Sequence, residues 1–238
     1  MSHARRRAII SSVAGLFATG LLGAAFALVI RSSGDWRSGL PWERALLLGI
    51  DRSVPLAFDR LMLVLPWMGT NLTLLPVIVA CSLWLWRRKR REDLALHLMT
   101  VATGSLILNA VLKAAFDRPR PELWEHRGQY QWASYPSGHA IVGVSVMFTI
   151  AILLHRERGW RWPFVAATCV LMLNLYSRLY LGVHWPTDII GGLVVGSAWL
   201  LITLYAFRPV DRGGIVADAA EPRSRPDSRG MKLRSDSI

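Results

Sequence analysis

The chain has 238 residues, of which 53% are hydrophobic and 11 are Trp, and it carries a formal net charge of +12. That pairing fits neither a soluble enzyme nor a disordered tail, and predicts an integral membrane protein whose arginines lie in its loops. A nucleic-acid partner, the other common meaning of a basic chain, is argued against by the long apolar runs.

Residues 1–7 form a basic terminus containing Arg5, Arg6 and Arg7. The first apolar run, 8–30, exceeds a normal signal-peptide core at 23 residues, although Ala25 to Ala27 loosely resembles a cleavage site. A spanning helix is the preferred reading. Residues 32–60 interleave Trp36, Trp42, Leu46, Leu47 and Ile50 with Arg and Asp, which predicts an interfacial amphipathic helix near 42–51. Such a helix would anchor the loop or guide a lipid to a site, and anchoring is favoured.

The second run, 61–86, contains Pro66 and Pro76, so a kink or break is expected within it. Five basic residues, 87–91, follow. The third run covers 94–112, with His97 and Asn109 expected to hydrogen-bond between helices. The fourth and fifth, 139–154 and 163–176, are short against the roughly 20 residues of a spanning helix but can extend into their flanks. Asn174 is read like Asn109. The sixth run is 189–207, and the polar remainder, 208–238, reads as a disordered cytoplasmic tail. Cys81 and Cys169, in mid-run, are read as small apolar packing residues, not as a disulfide or metal site.

The expected fold is therefore all-α, a polytopic membrane protein with a six-transmembrane-helix bundle at 8–207. Counting Lys and Arg in alternate loops gives 18 on the side of both termini and 10 on the other. By the positive-inside rule both termini are cytoplasmic and the remaining loops face the periplasm or exterior.

Chemistry gathers in those outward loops. Lys113, Arg120 and Pro121 follow the third run, Pro136, Ser137, Gly138 and His139 precede the fourth, and Ser177, Arg178, His184 and Asp188 lie between the fifth and sixth. Three converging cations repel one another unless an anion sits among them, and the arginine fork suits phosphate oxygens. Ser137 and Gly138 stand where a helix begins, so their N–H groups are expected among its orphan donors and aimed at that anion. His184 and Asp188, spaced i, i+4, are expected on one face of the helix opened by Pro186. The carboxylate would accept the Nδ1 proton and leave Nε2 as nucleophile. His139 is placed to stay protonated and act as acid. Taken alone, His184 and Asp188 fit equally a structural pair or half of a metal site. His126 and His155 are read as solvated or capping residues.

Together these residues resemble the three-part signature of the type 2 phosphatidic acid phosphatase superfamily: Lys, six residues, Arg-Pro; Pro-Ser-Gly-His; Ser-Arg, five residues, His, three residues, Asp. No signature position departs from it. The resemblance implies a lipid phosphate phosphatase that needs no metal or other cofactor. In it His139 protonates the leaving oxygen, His184 forms a phosphohistidine oriented by Asp188, and Lys113, Arg120, Ser137, Gly138 and Arg178 bind the phosphoryl group. Undecaprenyl diphosphate is the first substrate expected, with phosphatidylglycerol phosphate or phosphatidate as alternatives, at a bacterial plasma membrane. The superfamily also holds phosphotransferases and vanadate-dependent haloperoxidases; the latter are soluble relatives, which six apolar runs argue against. A non-catalytic lipid-binding or transport protein would be expected to lose the histidines, and both are present.

Overall fold

Length and apolarity, more than helix-forming patterns, dictate the long elements, because a backbone in hydrocarbon must bond to itself. A computed structural model describes residues 3–54, 56–69, 71–89, 91–126 and 132–208. Arg90 of the basic cluster, part of the 122–132 loop and the tail from 209 lie outside the described residues. Among the described residues every regular element is helical.

α1 (His3–Ser33) contains the first run. It lies along α9 (Pro186–Ala206) and touches α5 (Glu92–Phe116), with Gly23 facing Leu112 and Val195. Phe17 and Leu21, one turn apart, are exposed on its other side and form part of an apolar outer surface suited to lipid. α2 (Pro41–Ser53) is the amphipathic helix expected from the loop. Its Trp42 and Leu46 are exposed, while Leu47 and Glu43 are buried.

The second run is broken at Pro66, as its prolines predict. α3 (Asp59–Val64) gives way to a tight turn at Leu65–Gly69, and α4 (Asn71–Lys89) then carries Pro76 inside it. Asn174 donates from Nδ2 to the Leu65 carbonyl at 3.2 Å and so satisfies an acceptor at the break.

The fourth run starts at α6 (Gly138–Val142), widens into a π turn at Gly143–Met147 and continues as α7 (Phe148–Arg158). Ser145 in that turn bonds Ser105 of α5 at 2.7 Å. α8 (Trp162–Tyr180) holds the fifth run. The core lies between α5, the α6 to α7 segment and α9, and includes Leu98, Val101, Leu108, Ile141, Val146, Val195 and Trp199. Trp199 Nε1 donates to the Val101 carbonyl at 2.9 Å.

Of the six expected spans, four are long and apolar enough to cross a membrane among the described residues: Arg5–Ser33, Glu92–Phe116, Gly138–Arg158 and Pro186–Ala206. The Pro66 break shortens the apolar part of α4 to Thr73–Arg87, and the polar Asn174 and Arg178 lower the hydropathy of α8. Cys81 and Cys169 are free thiols on the outer surface of the bundle, so they do not fill its interior as expected. His97 stacks on Phe207 at 4.7 Å, and its Nε2 has no hydrogen-bond partner.

Candidate active site

Four elements meet at one end of the bundle, and between them they carry the three parts of the signature. Lys113 comes from the last turn of α5, and its Nζ donates to the Ala133 carbonyl. The chain then turns through Asp117, whose φ of 38° ends the helix in a left-handed residue. Arg120 follows in the loop, its Nε donating to the Trp132 carbonyl at 2.9 Å and one terminal nitrogen to the Val183 carbonyl at 2.5 Å. That second bond ties the first motif to the third. His126 pins the same loops, with Nε2 at 2.7 Å from the Pro121 carbonyl and 3.1 Å from that of Gly182.

Ser137 is the N-cap of α6. The structure corrects the expected use of its backbone: the Ser137 N–H donates to the Asp188 carbonyl at 3.0 Å. The N–H groups of Ala140 and Ile141 both turn back to the Ser137 carbonyl at 3.1 Å. The orphan donors of this first turn are therefore those of Gly138 and His139, and Ser137 offers its hydroxyl instead. Ser137 Oγ and His139 Nε2 are both buried without a hydrogen-bond partner in the protein. Gly138 lies against the Asn109 side chain of α5, whose Oδ1 is likewise without a partner.

α9 can approach this turn because Gly192 has no side chain: a Cβ there would stand 2.6 Å from the Ser137 carbonyl oxygen and 2.7 Å from the Ala140 Cβ. Asp188, Gly192 and Gly196 recur at i, i+4 along one face, so close packing and the carboxylate arrive together.

Arg178 is buried near the end of α8, and His184 is 3% exposed. His184 does not lie on the face of α9, as its spacing suggested, but in the turn before it, ahead of the extended N-cap Trp185. Its Nδ1 is 3.7 Å from Asp188 Oδ2, beyond hydrogen-bond reach. The hydroxyl of Ser134 stands between them, 3.4 Å from Nδ1 and donating to Asp188 Oδ2. Burial, and then the charges of Arg120, Lys113 and Arg178, hold His184 well below the ordinary histidine range. These causes favour the neutral imidazole of His184.

Sequence reasoning missed three residues. Ser134 immediately precedes the second motif. Arg118, of the doubled Arg-Pro that also contains Arg120, is fully buried, and one terminal nitrogen donates to Asp188 Oδ1 at 2.7 Å and to Thr187 Oγ1 at 2.7 Å. Its other terminal nitrogen meets Glu43 Oε2 at 3.0 Å. The doubled Arg-Pro and the Pro-x-acid start of α2 were the available signals. Among the described residues no three His, Cys, Asp or Glu side chains converge as a metal-ligand set.

Comparison with known proteins identifies a family and a shared fold. Residues 93–212 match the family model described as the PAP2 superfamily. The chain is 32% identical over 136 residues to phosphatidylglycerophosphatase B of Bacillus subtilis, covering 54% of this chain and 65% of that protein. It is 43% identical over 67 residues to the undecaprenyl-diphosphatase of Sulfolobus acidocaldarius, covering 28% of this chain and 30% of that protein. It thus spans less than two thirds of the length of either relative. The crystal structure titled as the first transmembrane PAP2 type phosphatidylglycerolphosphate phosphatase from Bacillus subtilis has the same fold. Its TM-score is 0.64 over 90% of this chain and 99% of that one, at 23% identity.

Proposed function

Since the chain belongs to the PAP2 superfamily, we propose that it is an integral-membrane lipid phosphatase that hydrolyses a phosphate or diphosphate headgroup and releases its terminal phosphate, undecaprenyl diphosphate first among the substrates to test. The observation that carries this reading is the pair of buried, partnerless atoms Ser137 Oγ and His139 Nε2 at the site that also holds the buried His184. Buried polar atoms ordinarily have partners, and a phosphoryl group held among Lys113, Arg120, Arg178 and the first turn of α6 would give these atoms theirs.

The chemistry follows from the placement. His184 Nε2 attacks phosphorus while the bond from phosphorus to the lipid-side oxygen breaks, and His139 gives that oxygen its proton. Lys113, Arg120, Arg178 and the N–H groups of Gly138 and His139 stabilise the charge that spreads over the phosphoryl oxygens. Water then attacks the phosphohistidine, its proton passes to His139, the phosphorus to nitrogen bond breaks and inorganic phosphate leaves. Asp188 orients His184 through the Ser134 hydroxyl.

The names of both relatives specify lipid phosphates, which supports the substrate class. The longer match, to phosphatidylglycerophosphatase B, supports phosphatidylglycerol phosphate as a second reading. The 18 to 10 bias of basic residues supports cytoplasmic termini and an outward-facing site.

A phosphate-release panel tests the proposal. Purified protein in detergent is offered undecaprenyl diphosphate, phosphatidylglycerol phosphate, phosphatidate and a soluble phosphate ester. The lipid substrates should turn over, and His184→Ala should abolish release from each. Turnover by that variant would remove His184 from the nucleophile's role.

A further inference from the structure

Two helices open with the same pattern: Leu40, Pro41, Trp42, Glu43 at α2 and Trp185, Pro186, Thr187, Asp188 at α9. In each the acid folds back onto the N-cap. Glu43 Oε2 accepts from Leu40 N at 2.8 Å, and Asp188 Oδ2 accepts from Trp185 N at 2.8 Å. Arg118 bridges the two carboxylates, at 3.0 Å to Glu43 and 2.7 Å to Asp188. Glu43 Oε1 also accepts from Thr187 N at 3.1 Å and Thr187 Oγ1 at 2.6 Å, so one carboxylate caps both helices. The Arg118 guanidinium lies over the Trp36 ring at 4.6 Å, and its Nε donates to the Trp36 carbonyl at 3.1 Å.

All three charged side chains are fully buried. Burying two carboxylates and a guanidinium is a poor way to attach a helix, because apolar residues of the same volume often hold as well or better. The arrangement has another use. Glu43 offsets the charge of Arg118, so that Arg118 can fix Asp188 in place without cancelling its field at His184.

We propose that Glu43 and Arg118 are positioning residues for the nucleophile: they fix the Asp188 carboxylate and, through it and Ser134, the imidazole of His184. This rests on the reading of His184 as nucleophile oriented by Asp188. It extends the catalytic machinery to α2, outside the 93–212 family match. The charged and titratable groups facing His184 are Lys113 from α5, Arg120 from the loop, His139 from α6, Arg178 from α8 and Asp188 from α9.

The test compares wild type with Glu43→Gln, Arg118→Gln, Arg118→Lys and Asp188→Asn, each shown to be folded by thermal unfolding and monodisperse elution in detergent. The substrate is whichever lipid turns over fastest in the panel. Glu43→Gln should lower kcat by about tenfold or more with KM changed by less than about threefold, since misplacement is felt in the transition state. Arg118→Lys should recover part of the kcat lost in Arg118→Gln. The acidic limb of kcat/KM should move down in Glu43→Gln, which leaves Arg118 unopposed, and up in Arg118→Gln, which removes a cation. A purely supporting role would lower activity without these opposite displacements, and that outcome overturns the proposal. Wild-type kcat in Glu43→Gln and Arg118→Gln overturns it too, while leaving the lipid phosphatase reading intact if Asp188→Asn is inactive. Full activity in Asp188→Asn would remove the reading beneath it as well.

Discussion

As the proposed nucleophile, His184 needs a free Nε2 lone pair to attack phosphorus, and its surroundings favour that condition. Burial is the largest cause, and Arg120, Lys113 and Arg178 add to it, so the imidazolium form is disfavoured well into the acid range. A histidine with a lowered pKa stays neutral above that lowered value, so the proposed nucleophile remains available in mild acid. The acidic limb of kcat/KM, which reports the free enzyme, should therefore lie below the ordinary histidine value of about 6.5. Rates from pH 4 to 8 measure it, and a limb at or above the ordinary value would contradict the placement of the three cations. The signature residues were legible because their types and spacing are set by phosphate chemistry. Which group of Ser137 is available was not legible, since it depends on the Asp188 carbonyl reaching the Ser137 N–H across the packed interface of α6 and α9. Ser134 was silent for the same reason: nothing local distinguishes a serine that lies between a histidine and a carboxylate.

At the scale of elements, the site depends on how closely α9 lies against α6. Gly192→Ala places a methyl group against the Ser137 carbonyl and the Ala140 Cβ, neither of which can swing aside. The expected cost is about 1–3 kcal/mol of stability, with a loss of turnover because α6 carries His139. Gly49→Ala in α2, where nothing lies within 4 Å, should leave stability unchanged or raise it by about 0.5–1 kcal/mol. Thermal unfolding in detergent with phosphate-release rates checks both, and equal behaviour of the two variants would refute the close-approach argument. Helix existence was readable from the apolar runs, and the break from Pro66. The π turn was not, because helices apolar nearly all round give periodicity nothing to register. The shortfall from six evident spans has a related cause: Asn174 and Arg178 of α8 serve the Leu65 carbonyl and the proposed phosphate site, and their polarity lowers the helix's hydropathy.

For the whole molecule, labelling from outside the cell tests which end of the bundle faces out. Glu125 is exposed in the loop beside the site, and the proposed orientation puts that loop outside. With Cys81 and Cys169 replaced, since both are exposed on the helices, Glu125→Cys should be labelled by an impermeant thiol reagent in intact cells. Labelling only after lysis would invert the orientation. The buried contacts of Arg118 run to α2 as well as to α9, so its charged network reaches outside the 93–212 family match. A chimera that grafted residues 93–212 onto another scaffold would carry Arg118 and Asp188 but leave Glu43 behind, with a buried cation short of one carboxylate. With Glu43 in its proposed positioning role, the smallest portable catalytic unit begins at or before Leu40.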